Sequence, residues 1–252
     1  MKRRVRISAV ADCFGMEGIM PYYYGFFDPT YLLVVIGALI CLAASMMVKS
    51  TFRKYSDKRS ASGLTGAQAA ERVLHSAGIY DVQIRKVAGE LTDHYDPRNK
   101  TLNLSESVFD STSVAAIGVA AHECGHAIQD DKAYMPLKIR GSLVPVANIG
   151  SSLSIPLIIL GVLLSWNQTL ITIGIVLFCA VVLFQLVTLP VEFNASGRAL
   201  TVLGNTGILY GDELSAAKKV LSAAALTYVA GAASSILQLL RLVLLFGRRN
   251  DD

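Results

Sequence analysis

The 252-residue sequence predicts an α+β fold: a mostly helical chain that crosses a membrane several times and carries a small water-facing insertion with a β-hairpin. Three observations predict it. Hydrophobic residues make up 53% and mean hydropathy is +0.48, while charged residues are only 17%, against about 25% in an ordinary soluble domain. Apolar residues gather in uncharged runs long enough for bilayer helices, which need roughly 20 residues each. The charges gather elsewhere: residues 49–148 hold 24 of the 42, so that stretch faces water. The hydrophobicity excludes a disordered chain. A net charge of +4 is too mild to point to nucleic acid as a partner. The cysteines at 13, 41, 124 and 179 form no CxxC pair, and two lie in very apolar stretches. That argues against a disulfide framework or a cysteine zinc site.

The elements follow in order. Residues 1–28 open with Lys2, Arg3, Arg4 and Arg6 and contain no apolar run of signal-peptide length. Met20 precedes an aromatic belt at Tyr22, Tyr23, Tyr24, Phe26 and Phe27, and is the expected physiological start. A first span covers 29–48. Lys49, Arg53, Lys54, Lys58 and Arg59 come directly after it, which by the positive-inside rule assigns 49–148 to the cytoplasm. Residues 149–190 carry no charge, too long for one helix, with a break at Ser165-Trp166-Asn167-Gln168. They read as a hairpin of spans at about 149–165 and 169–190, with Trp166 at the outer interface. Segment 191–219 returns to the cytoplasm with Arg198, Lys218 and Lys219. A fourth span, 220–246, contains Gln238 and Arg241; it either crosses fully or lies partly along the interface with its cation snorkelling. Residues 247–252 form a tail.

Within the insertion, Thr65-Gly66-Ala67-Gln68 has capping-box form, Ala69, Val73, Leu74 and Ala77 follow at helical spacing, and Gly78 suits the helix end. Residues 82–87 read as a strand. Asp96-Pro97-Arg98-Asn99 is a turn that joins 91–95 to 100–104 as a hairpin. A connector, 105–110, leads to Ser111, Thr112 or Ser113, one of which caps a helix reaching about residue 129.

That helix carries His122-Glu123-Cys124-Gly125-His126, the HExxH pattern. Residues four apart share a helix face, so both imidazoles reach one ion, and zinc accepts such nitrogens in tetrahedral geometry. Glu123 sits beside the first ligand and is placed to take a proton from water and pass it to a leaving amine. The insertion is thus a candidate metalloprotease unit. Catalytic zinc usually takes three protein ligands, and no His follows the motif, so a carboxylate is expected as the third. Asp130 and Asp131, at the helix end, are expected to be solvated or to sit behind the ligands. Glu192 stands out: a lone acid beside a membrane boundary is costly unless paired. Its bland reading is an ion pair, with Arg198 the partner at hand.

Three stretches carry a resemblance: Leu91-Thr92-Asp93-His94-Tyr95-Asp96-Pro97-Arg98, His122 through Asp130, and Leu186-Val187-Thr188-Leu189-Pro190-Val191-Glu192-Phe193-Asn194-Ala195-Ser196. Together they resemble the YugP-type zinc-dependent membrane peptidases, over roughly residues 20–246. HExxH, a membrane hairpin and then a ligand Glu is also the layout of the gluzincin-like HtpX and CAAX prenyl proteases, a more distant likeness. The resemblance implies a zinc (Zn2+) membrane peptidase with ligands His122, His126 and Glu192 and catalytic Glu123. Ser196 stands where the HtpX-like pattern has Asp; its hydroxyl can still accept a hydrogen bond from a ligand imidazole.

Other residues carry weaker signals. His94 is a candidate to bind substrate or polarise the scissile carbonyl, with a surface position on the hairpin as the alternative. His75 reads as exposed. Asn194 and Arg198, near Glu192, could support an oxyanion or the ligand shell. Cys124 reads as packing, Gly125 as a point of close approach, and Gln185 as a hydrogen-bonding group between helices. The expected function is zinc-dependent endopeptidase activity at the cytoplasmic face of the cell membrane, with the bilayer and a peptide or membrane-protein substrate as partners. The hairpin would offer a strand edge to an extended peptide. A non-catalytic scaffold with a structural zinc is the alternative; an intact Glu123 argues against it. A metal transporter would need ionisable residues along its spans, and the hairpin has none.

Overall fold

A computed structural model describes residues 28–246; the expected start at Met20, the basic residues before it and the tail lie outside them. Helix α1 (Tyr31–Ser56) begins behind Asp28, whose carboxylate accepts from Thr30 N at 2.9 Å, and ends on Arg53 and Lys54, favourable at a helix C-terminus. It runs past the expected 48 because those basic residues are good helix formers. The capping box at Thr65 forms in full and starts α2 (Gly66–Ser76). Gly78, at φ 79°, follows as the left-handed residue a helix end favours.

Three short strands come next: β1 (Gln83–Val87), β2 (His94–Asp96) and β3 (Thr101–Ser105). The hairpin pairs β2 with β3, His94 opposite Asn103 and Tyr95 opposite Leu102. The sheet order is β1-β3-β2, because β1 adds to the far side of β3 in parallel, Gln83 opposite Thr101. β2 is therefore an edge strand. The connector contains a single helical turn, α3 (Glu106–Phe109). Ser113 caps α4 (Val114–Asp131) by accepting from Ala116 N at 3.2 Å.

Pro136 sits in the first turn of α5 (Met135–Leu163), where a missing N–H costs nothing, and the helix continues through Pro145 and Pro156. The break at Ser165 and Trp166 is as expected: both have positive φ, and Asn167 caps α6 (Gln168–Asn205) by accepting from Leu170 N. α6 does not end at the boundary expected near 190. It carries Pro190 inside it and continues for another fifteen residues, so Glu192 lies mid-helix. Last comes α7 (Gly211–Phe246).

Among the described residues α1, α5, α6 and α7 are long and apolar enough to cross a membrane. The chain is an α+β membrane protein. α5 and α6 pack closely because a Cβ at Gly150 or Gly174 would press into the backbone carbonyl of Leu177 or Ser154. The last described residue of α7, Phe246, meets Trp166 with ring centroids 6.1 Å apart, and its carbonyl faces Gln168 Nε2. Arg241 pairs with Asp28 at 3.2 Å.

The buried core lies at the other end. Leu102 and Leu104 of β3, Val73 and Leu74 of α2 and Ile117 of α4 pack against Ala199 and Leu203 of α6 and Ala217 of α7. The insertion therefore closes its core on extensions of two apolar helices, and α4 is pressed against α6.

Candidate metal centre

α4 is small and apolar along Val114-Ala115-Ala116-Ile117-Gly118, which lets it bury almost completely. At Gly125 it comes nearest to α6: a Cβ there would collide with the Ala195 carbonyl. That close approach brings one turn of α4 against the turn of α6 that follows Pro190.

His122, His126 and Glu192 meet at this crossing, with ligand atoms all within 4.8 Å of one another. Glu192 Oε2 lies 3.3 Å from His122 Nε2 and 3.6 Å from His126 Nε2. The imidazoles stand edge to face at 83°. The Glu192 side chain is 2% exposed, yet Oε2 makes no hydrogen bond. A buried acceptor without a partner is costly, but this one is aimed at two nitrogens. A tetrahedral zinc with bonds of about 2.0–2.1 Å separates its ligand atoms by roughly 3.3 Å. Both carboxylate–imidazole distances are close to that separation, and a donor set of two imidazole nitrogens and one carboxylate oxygen suits that ion.

Each of these side chains is held from behind. His122 Nδ1 lies 3.0 Å from Ser196 Oγ and His126 Nδ1 3.0 Å from Gln129 Oε1. With the proton on each Nδ1, both Nε2 lone pairs face Glu192. Gln129 is fully buried and donates to the Val191 carbonyl at 2.8 Å and to Asn194 Oδ1 at 3.0 Å. Arg198 Nε donates to the same Asn194 oxygen at 2.7 Å. Arg140 Nη1 donates to the second Glu192 oxygen, Oε1, at 3.2 Å.

Glu123 is not part of the ligand group. Its side chain enters a cavity of about 530 Å³ lined also by His94, Tyr95, His126, Glu192 and Tyr228. Its Oε2 accepts the backbone N–H of Tyr95 at 3.1 Å, so the outer edge of β2 faces it. The Tyr95 hydroxyl donates to Asp130 Oδ2 at 3.0 Å, a second bolt between β2 and α4. Burial, then Asp130, push that phenol well above its usual pKa. Full burial likewise raises the Cys124 thiol, which donates to the Ala70 carbonyl and has no thiolate to offer a reaction.

The structure thus brings His122, His126 and Glu192 together, and sets Glu123 and His94 on one cavity wall. His94 is exposed; its Nδ1 faces the Thr92 carbonyl and its Nε2 the Asn103 amide. Asp131 pairs with Lys132 at the surface. Two expectations change: Asp130 is half-buried on Tyr95 rather than solvated, and Arg198 serves Asn194 rather than Glu192. Gln129, Arg140 and Tyr228 were not anticipated. Gln129 lies three residues past His126, on its helix face, and could have been found by that spacing. Arg140 and Glu192 are the charges that bound the long uncharged stretch on either side, also a readable signal. For Tyr228, within the last apolar run, there was none.

Residues 30–247 match a family described as "Putative neutral zinc metallopeptidase". The chain is 46% identical over 223 residues to the "Putative membrane protease YugP" of Bacillus subtilis (strain 168), across 88% of this chain and 99% of that protein. No solved structure matches.

Proposed function

From its place in the neutral zinc metallopeptidase family, to which this chain belongs, we propose that it is a gluzincin-type endopeptidase that hydrolyses peptide bonds at the cytoplasmic face of the cell membrane. The convergence of His122, His126 and the unpartnered Glu192 oxygen, with Glu123 on the same cavity, carries the reading. His122, His126 and Glu192 hold the metal. Zinc bound there supplies Lewis acidity, which polarises a peptide carbonyl and acidifies water.

The remaining steps belong to the chain. An extended peptide adds along the outer edge of β2, where backbone groups are unpaired by β3. Glu123 takes the proton of the attacking water and returns it to the leaving amine, as general base and then general acid. Ser196 and Gln129 keep the ligand imidazoles in one tautomer throughout. His94 contacts the substrate from the cavity wall. A structural site is usually closed by four ligands; among the described residues this group has three.

Orientation rests on the basic residues in the last turns of α1 and just after it. With 49–148 in the cytoplasm, the crossing of α4 and α6 lies at that face and Trp166 at the other. A reporter at Asn103 should read cytoplasmic and one at Asn167 external. The deciding experiment on chemistry is Glu123→Gln in purified protein: zinc content should stay at the wild-type level while peptidase activity falls about 100-fold or more. Cleavage at the wild-type rate would refute the assignment of the base.

A further inference from the structure

Glu192 presents a puzzle of cost. Its carboxylate is 2% exposed, on a helix whose preceding residues are all uncharged back to Arg140. A carboxylate buried there without compensation carries a large desolvation cost. Each oxygen has its own surroundings. Oε2 faces the two imidazoles and makes no hydrogen bond; Oε1 takes Arg140 Nη1 at 3.2 Å. Arg140 and Glu192 lie the same number of residues from Trp166, on opposite arms of the α5–α6 hairpin, so antiparallel packing registers them across from each other. The guanidinium reaches Glu192 from the cavity side and is 30% exposed.

We infer that Arg140 is a positioning residue for the metal: by holding Oε1 it fixes the rotation of the Glu192 carboxylate and presents Oε2 to the ion that His122 and His126 share. The inference rests on the metal-site reading above and names a residue outside it. Arg140 also neutralises a carboxylate whose charge must persist in apolar surroundings when the ion is absent. Arginine suits both tasks because its charge is permanent and its planar fork approaches a carboxylate in a fixed geometry.

The test is zinc affinity by chelator competition, on full-length protein in detergent or nanodiscs, with folding checked by circular dichroism. Arg140→Gln should weaken zinc binding roughly 10–100-fold, the usual consequence of losing an outer hydrogen-bond partner. Arg140→Lys keeps a cation at the boundary and should recover most of that loss. In a double-mutant cycle, Arg140→Gln made on Glu192→Gln should cost little further affinity, because the group it acts through is already altered. A clamp that merely joins α5 to α6 would lower thermal stability but leave zinc affinity alone. An arginine that binds substrate would raise KM alone. Wild-type binding with an Arg140→Gln affinity within about two-fold overturns the Arg140 assignment only, whereas a wild-type chain that takes up no zinc overturns the metal site with it.

Discussion

Each end of the helical bundle carries an arginine–carboxylate pair, and both pairs measure 3.2 Å: Arg140 with Glu192 at one end, Arg241 with Asp28 at the other. Asp28 is 34% exposed, and both its oxygens are used, by Thr30 N and Oγ1 and by Arg241. The Thr30 hydroxyl, more than Arg241, holds its carboxyl below the usual range. Arg241 also lies over the Tyr31 ring at 5.4 Å. This pair fastens the start of α1 to the end of α7. Glu192 is almost fully buried, and one of its oxygens is directed at two imidazoles. The lesson is that an ion pair at a helix boundary says little about function. What distinguishes a site is an oxygen left over once the pair is made, and what that oxygen faces.

The sharpest way to break this comparison is to remove one charge at each end. Glu192→Gln takes a ligand's charge from the buried end. Zinc affinity should fall by more than the roughly 10–100-fold typical of an outer partner, and activity with it. His122→Ala and His126→Ala should do the same. Asp28→Asn should leave zinc and activity unchanged and cost at most about 1 kcal/mol of stability, as half-exposed pairs do. Metal analysis together with thermal unfolding reads both. Equal zinc affinity in Glu192→Gln and wild type would mean that the two ends are alike after all.

Much of this contrast was readable in the sequence, for physical reasons. Spans follow from charge, and the break at Ser165 from a lack of helix formers between two long apolar runs. The HExxH spacing fixes a helix face by itself. Glu192 was conspicuous because a lone acid at an apolar boundary needs a reason. Contacts that depend on distant chain segments were not readable. The parallel pairing of β1 with β3 leaves no local pattern. Helix α6 passes Pro190 although a proline inside a helix is locally unfavourable, and its continuation packs against α4 and α7. The sequence marks Arg140 and Glu192 as the charges that bound one uncharged stretch, but only the folded hairpin sets them across from each other. Nothing local to Arg241 shows Asp28 arriving beside it.

A smaller effect should separate glycines by what lies above them. Gly125→Ala would drive a methyl group into the Ala195 carbonyl, where the backbones of α4 and α6 approach closely. Overpacking of this kind costs about 1–3 kcal/mol. It should also weaken zinc binding, by moving the histidines from Glu192. Gly197→Ala, on α6 nearby, meets nothing within 4 Å and should be neutral or stabilising by up to about 1 kcal/mol, as a helix gains from alanine. A Gly125→Ala protein with wild-type zinc affinity would show that the close approach is not what assembles the ligands.

The smallest difference expected lies within the buried end itself, between the supports of its two histidines. Ser196 is a single hydroxyl on His122, and a water could replace it in Ser196→Ala, since His122 is 14% exposed. Gln129 is fully buried and makes three hydrogen bonds, to His126, to the Val191 carbonyl and to Asn194. Gln129→Ala would leave those partners unsatisfied in a place closed to solvent, which is the costlier kind of loss. Zinc affinity should therefore drop several-fold in Ser196→Ala and by roughly 10–100-fold in Gln129→Ala. Gln129→Glu preserves the acceptor for His126 but replaces the amide that donates to Val191 and Asn194, so its affinity should fall between the two. The reverse order, with Ser196→Ala the more damaging, would move the weight of the site from His126 to His122.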